Sequence, residues 1–232
     1  MIYDNYYSTF YLVQGPVIEA RYAKEAAALK RFMSLYLPED KKSKVLEMGC
    51  GVGFFMYLLE KEGYSNILGI DLSEEALTLC RNNATKKCRQ GNIMDELHRY
   101  RNAGETFDLI VAFDFMEHFS KEEIVDIFVT CRQLLNSGGK FVIKVGNMAN
   151  ITGSHLFHLD FTHKVGFTEE SLQHLFTMAG FSRCEFTPVY PATRSSKLKA
   201  HVARWLHEFI YWIERVKCPQ VTSRKIIAVG YN

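Results

Sequence analysis

The chain has 232 residues, 47% hydrophobic and 23% charged, a composition ordinary for a soluble globular domain with a sizeable core. The net charge of +2 is unevenly spread: residues 194–225 hold eight Lys/Arg against two acids, net +6, which leaves −4 for the rest. No uncharged apolar run approaches the about 18 residues of a membrane span, and MIYDNYYSTF lacks the basic and apolar regions of a signal peptide, so a cytoplasmic protein is expected.

The N-terminal 14 residues carry Tyr3, Tyr6, Tyr7 and Tyr11 and read either as an arm over a site or as a loop packed on the body. From Ile18 through Tyr22, Ala26, Leu29 and Met33 the apolar spacing predicts a helix that ends before Pro38. Val45–Met48 then reads as a buried strand, followed by Gly49, Gly51 and Gly53 and by an apolar helical pattern from Phe54 to about Gly63. Asn66–Asp71 is a second strand ending in an acid, and Ser73 caps a helix with Glu74 and Glu75 in its first turn. Cys88–Gln90 is a short strand. Phe107–Phe113 is a strong one, Ser120 opens a helix that stops before Gly138-Gly139, and Lys140–Val145 is the next strand. Residues 146–167 read as irregular and histidine-rich. Thr168 caps a helix to about Met178, and Arg183–Thr187 and Lys225–Gly230 are the last two strands, with an insertion between them.

Strands alternating with helices predict an α/β doubly wound, mostly parallel, seven-stranded sheet of Rossmann-like form. It carries an N-terminal helical arm and a helical insertion before the last strand. The expected organisation is a single domain: an arm over 1–43, a core over 44–188, the insertion over 189–224 and the last strand over 225–232. In such sheets ligands sit beyond the C-terminal strand ends, where Gly49–Gly53, Asp71, Asp95 and Phe113–His118 fall. The six cysteines form no C-x-x-C pair and read as buried thiols.

The glycine turn lacks the third glycine of a G-x-G-x-x-G dinucleotide fingerprint. Its form is E-x-G-x-G-x-G, from Glu47 to Gly53. With the strand ending at Asp71, the G-N-I-M-D segment at Gly91–Asp95, FDLIVAFDFMEHF at Phe107–Phe119 and the Gly138-Gly139 turn, it resembles the class I S-adenosylmethionine-dependent methyltransferases. The resemblance spans about residues 44–188 in order, plus the last strand. It implies S-adenosylmethionine as methyl donor and S-adenosylhomocysteine as product. It also implies a cofactor site drawn from Glu47, Gly49, Gly51, Gly53, Asp71, Leu72, Asn92, Ile93, Met94, Asp95 and Phe113, with Asp71 on the ribose hydroxyls and Asp95 on the adenine amino group. Each of these has a plainer reading as well: Asp95 as a helix cap, Met94 as core, Glu47 as a partner for backbone amides.

His155–Phe167, HLFHLDFTHKVGF, lies just past the fifth strand. A hydroxyl acceptor needs a base to remove its proton, and His163, His158 and His118 are the candidates; alternatively Asp160, Thr162 and His163 brace the loop. The H-x-x-H-x-D-x-x-H spacing is also a ligand pattern, but an irregular loop gives it no fixed ligand face, and no metal is assigned. The D-F-T-H…F-T part resembles a bacterial subgroup linked to surface-polysaccharide and small-molecule biosynthesis. The expected activity is methyl transfer to a small-molecule acceptor, a hydroxyl of a sugar or sugar-linked metabolite. The alternatives are an amine acceptor or a non-catalytic binding module. The absence of an N-P-P-Y-like tetrapeptide at Phe113–Met116 argues against a nucleic-acid substrate. Finally Val202, Trp205, Leu206, Phe209, Ile210, Ile213 and Val216 form an apolar stripe beside Lys197, Lys199, Arg204, Arg215 and Lys217. Three roles remain open for this 197–217 helix: packing on the body, pairing with a second subunit, or lying on an anionic membrane.

Overall fold

A computed structural model describes residues 19–189 and 194–232, without the side chains of 194–198; the tyrosine-rich arm of residues 1–14 lies outside the described residues. The central strand β1 (Val45–Met48) is buried at all four positions, as a strand covered on both faces must be. It pairs in parallel with β2 (Ile67–Asp71) and β4 (Phe107–Phe113). Outward from β2 lies β3 (Cys88–Gln90), and outward from β4 lies β5 (Leu135–Gly146), both parallel to their neighbours. Beyond β5 the direction reverses: β7 (Lys225–Tyr231) is antiparallel to both β5 and the edge strand β6 (Arg183–Pro188). The order is β3-β2-β1-β4-β5-β7-β6. The winding changes direction between β1 and β4, so a crevice opens beyond their C-terminal ends.

Helices cover both faces. One core joins α1 (Glu19–Met33), α2 (Phe54–Lys61) and α3 (Glu74–Asn83) to the sheet through residues such as Leu29, Met33, Leu59 and Leu77. The other joins α4 (Ile93–Asn102), α5 (Lys121–Leu134) and α7 (Glu169–Met178) through Leu97, Phe128 and Phe176. The helix starts follow the expected chemistry. Ser73 Oγ accepts from Ala76 N–H, and Ser120 with Glu123 closes a capping box.

Two segments differ from the sequence reading, and a third narrows a choice that it left open. First, β5 begins at Leu135 rather than Lys140. Phe107 pairs with Leu135 and Leu109 with Lys140, so the register jumps between them. Gly138, at φ 75°, takes up the extra residues as a bulge inside the strand. Second, the histidine-rich segment is not wholly irregular, because Gly153–His158 forms a short helix, α6. Third, the apolar stripe of α8 (Arg194–Ile213) does not pack on the body. Val202, Trp205, Leu206, Phe209, Ile210, Ile213 and Val216 are all exposed, while His207 is 1% exposed. The inner face is polar: Tyr211 OH donates to the Ala149 carbonyl at 2.8 Å, and His207 Nε2 accepts from Ile151 N–H at 3.1 Å.

The segment that returns the chain to β7 is held by Asn147, which is fully buried. Its side-chain amide donates to the carbonyls of Val221 and Ser223, both at 2.9 Å, and its Oδ1 accepts from Ala149 N–H at 3.0 Å. Asn147→Ala leaves those backbone groups without partners. It is expected to cost about 2–4 kcal/mol, measured as a lower urea midpoint with unchanged slope.

Candidate functional site

The glycine turn after β1 is built by three positive-φ glycines, Gly49, Gly51 and Gly53, and one carboxylate. Gly49 and Gly51 have φ of 67° and 50°, a region that side chains rarely adopt. Asp71, at the end of β2, accepts from Gly51 N–H at 2.8 Å through Oδ2 and from Ser73 N–H at 2.9 Å through Oδ1. It therefore ties the turn to the next strand. Burial raises its carboxyl pKa, against the lowering effect of those amide bonds. A Cβ at Gly49 would stand 2.2 Å from Phe115 Cδ2, whereas one at Gly51 would meet nothing within 4 Å. Gly49 is thus required by packing, and Gly51 leaves bare backbone facing open space.

Two cavities meet at this turn. One, of about 660 Å³, is lined by Asp71, Leu72, Asn92, Ile93, Met94 and Phe113 among others; the second, of about 380 Å³, is lined by Glu47, Lys144, Phe157, Asp160, His163 and Lys225 among others. Gly49, Gly51, Phe113, Asp114 and His118 line both. The fold thus brings together most of the residues expected at a cofactor site. Gly53 and Asp95 are the exceptions. Gly53 sits behind the turn, where a Cβ would meet Cys80 Sγ at 2.4 Å. Asp95 is exposed in the first turn of α4, with Asn92 as the cap; the helix carries it away from the cavity its neighbours line. Of the histidines, His118 and His163 line the second cavity, and His158 is exposed at the end of α6, outside it.

The second cavity holds a charge cluster that sequence reasoning missed. Asp114, directly after β4, adopts φ 51°, tolerated better by Asp than by most residues. Its carboxylate pairs with Lys144 at 2.9 Å and Lys225 at 2.8 Å. Lys225 arrives there because β7 is antiparallel: its first residue pairs with Gly146, at the C-terminal end of β5. Burial alone would raise the Asp114 carboxyl, but the two ammonium groups outweigh it and hold it well below the usual carboxylate range. Glu117, 6% exposed, shows the opposite balance. Burial first, then the negative Asp114, pushes its pKa up to about 8. Glu117 Oε2 and Glu47 Oε2 are buried without hydrogen-bond partners among the described residues. Burial also raises Glu47 well above its ordinary value. The sequence signs of this cluster were Asp114 at a strand end and a lysine inside the apolar run FVIKVG.

The histidine segment is tethered to the 3-10 turn Met116–His118, because Glu117 C=O accepts from Lys164 N–H at 2.7 Å. This brings the His118 and His163 rings to 5.0 Å between centroids. His163 Nδ1 donates to the Phe157 carbonyl at 2.8 Å. Thr162 Oγ1 donates to Asp160 Oδ1 at 2.6 Å and stands 2.8 Å from His118 Nδ1. His118 is pushed toward its neutral form, by burial first and then by the charge of His163.

Comparison with known proteins bears on the fold. Residues 45–139 match the family model described as a methyltransferase domain. An S-adenosylmethionine-dependent methyltransferase from Archaeoglobus fulgidus is 20% identical over 89% of this chain and 94% of its own, with a TM-score of 0.67. One from Mesorhizobium loti is 17% identical over 88% and 98%, with a TM-score of 0.62. The phosphoethanolamine N-methyltransferase 2 of Haemonchus contortus, crystallised with S-adenosylmethionine, is 15% identical over 90% of this chain and 52% of its own, with a TM-score of 0.57. No curated protein matches the chain.

The charge cluster makes a testable contribution to stability. Because the folded pKa of Asp114 lies below its ordinary value of 3.8, the stabilisation is complete above that pH and is lost as pH falls below it. Lys144→Met removes one cation from the pair. It is expected to cost about 1–3 kcal/mol at neutral pH and to flatten the loss of stability below pH about 4, read by urea unfolding across acid pH.

Proposed function

We propose that this chain, whose residues 45–139 match a methyltransferase-domain model, is a class I S-adenosylmethionine-dependent methyltransferase that methylates a hydroxyl of a small polar acceptor, a sugar or sugar-linked metabolite. The cofactor supplies an electrophilic methyl group on a sulfonium centre. The residues present fit it. Bare backbone at Gly51 and the carboxylate of Asp71 suit a ribose, with Leu72, Asn92, Ile93, Met94 and Phe113 around the adenine. The buried Glu47 oxygen that lacks a partner suits the ammonium of an amino-acid tail, whose charge would favour its ionised form.

The observation that carries the acceptor assignment is the His118–His163 pair in the second cavity. A hydroxyl must lose its proton as it is methylated, and an imidazole is the side chain suited to assist at neutral pH. The bond from His163 Nδ1 to Phe157 fixes its tautomer, so the lone pair lies on Nε2. Arg21, Glu25, Asp114, Lys144 and Lys225 line the same cavity and suit a polyol better than an apolar ring. S-adenosylhomocysteine formation with hydroxylated against amine acceptors tests the reading; turnover of amines alone would overturn it. His163→Ala is expected to lower kcat about 100-fold with cofactor affinity unchanged. Asp71→Ala is expected to weaken cofactor binding about 10–100-fold by calorimetry.

The same reading extends to where the acceptor resides. The outward face of α8 carries stacked Trp205, Phe209 and Trp212, with centroids 5.7 and 6.1 Å apart. Exposed Lys199, Arg215 and Lys217 accompany it. Aromatic and aliphatic area beside cations suits an anionic membrane surface and hence a lipid-linked sugar. The two tryptophans of the chain both lie on this face, so intrinsic fluorescence reports on it directly. A blue shift with anionic but not zwitterionic vesicles is expected. No shift with vesicles, or a shift that follows protein concentration without them, would replace the membrane by no partner or by a second copy.

A further inference from the structure

We infer that His118, Asp160 and His163 form a binding site for a first-row divalent transition-metal ion such as Zn2+ or Mn2+. The inference rests on the hydroxyl-methylation reading for its purpose but not for its geometry. One ligand atom from each of the three residues lies within 4.8 Å of the other two. The residues come from two separate stretches, the 3-10 turn after β4 and the loop after α6. The tether from Glu117 C=O to Lys164 N–H brings these stretches together. A linear H-x-x-H-x-D-x-x-H pattern therefore misidentifies the set: His155 and His158 lie outside the cluster, and His118 enters it from 42 residues before Asp160.

Three observations argue for a cation rather than a chance grouping. The imidazoles are oriented from behind. His163 Nδ1 donates to the Phe157 carbonyl and His118 Nδ1 is bonded to Thr162 Oγ1, the outer-shell bonding that metal-ligating histidines show. Asp160 is 6% exposed and is positioned by Thr162, which donates to Oδ1 from both its N–H, at 2.9 Å, and its hydroxyl, at 2.6 Å. Independently, Glu117 lines the same cavity and has a buried carboxylate oxygen with no hydrogen-bond partner among the described residues. Ligand atoms on a tetrahedral ion at about 2.1 Å stand about 3.4 Å apart, inside the 4.8 Å within which the three ligand atoms lie. Two imidazoles and a carboxylate select a first-row transition ion over Mg2+ or Ca2+, which prefer all-oxygen sets.

Such an ion would take up the acceptor oxygen and lower the pKa of its hydroxyl. The O–H proton passes to solvent water, the oxygen's electron pair forms the new C–O bond, and the S–C bond breaks with its electrons returning to sulfur. His118 and His163 then act together as ligands, not singly as a base.

The test uses the full chain, freed of metal by a chelator and titrated with Zn2+ by calorimetry and with Co2+ by visible absorption. Binding of one equivalent, with the d–d bands of a nitrogen- and oxygen-ligated Co2+ ion, is expected. His118→Ala and His163→Ala should each weaken binding by about 10–100-fold or more, and Asp160→Asn likewise. His174→Ala, on the exposed face of α7, should leave it unchanged. Absence of stoichiometric binding by the wild-type chain overturns the site, as does affinity unmoved in both histidine variants that retain native circular dichroism. If hydroxyl methylation persists undiminished after chelation, the metal fails while the acceptor reading stands. If metal binds and only amines are methylated, the acceptor reading fails while the site stands.

Discussion

The antiparallel insertion of β7 between β5 and β6 is the constraint on which the second cavity depends. A seventh strand running parallel to β5 would start at the opposite edge of the sheet and carry its first residue away from the crevice. Reversal brings Lys225 beside the C-terminal end of β5, where it meets Asp114 together with Lys144. A single buried carboxylate at that point would be driven toward its neutral form. Two ammonium groups keep it ionised, and its negative charge in turn helps keep Glu117 protonated. The floor of the cavity is thus a set of fixed charges whose balance follows from strand direction. Asn147 guards that arrangement from the side, because it pairs with the segment that delivers Lys225.

The part of the cavity lined by the histidine segment is built from loops, and its order comes from bonds to the backbone. The Glu117 carbonyl receives Lys164 N–H, so the turn that contributes His118 also seats the loop that contributes Asp160 and His163. The Phe157 carbonyl receives His163 Nδ1. Each functional side chain is therefore oriented by a group from a neighbouring turn, which is how a loop-borne site acquires defined geometry without lying on a strand.

The alternation of strands and helices was legible because buried parallel strands are written as short apolar runs and helix starts carry side-chain caps. Val45–Met48, Phe107–Phe113, Ser73 and Ser120 all behave as such signals require. That the residues lining the larger cavity lie together was legible for the same reason: they are local to strand ends, so chain order and spatial order coincide. Asp95 shows the limit of that logic, since one further step along a helix turns a residue about 100° and out of the crevice. The smaller cavity was less legible because its members converge from distant stretches. Asp114 and Lys225 are separated by 111 positions, and their meeting depends on the direction of a strand that no local pattern reports.

The apolar stripe of α8 was read correctly as a stripe, but its facing was not legible, because periodicity reports that a face exists and not which way it turns. The helix is fixed by hydrogen bonds to residues 149–151, just beyond the end of β5. Its inner face therefore has little need of apolar area, and the outer face is released for another use. Ile151 is also exposed, and Phe161, on the histidine loop, is 97% exposed. Exposed apolar residues thus lie both on α8 and on the histidine segment. An isolated exposed leucine or tryptophan needs no explanation, whereas a gathering of this kind points to a surface that is covered in use. In the proposed arrangement the surface that covers α8 also presents the acceptor to the cavity. Recognition then divides between a charged pocket that reads the polar headgroup and a helix face that reads the apolar phase to which the headgroup is attached.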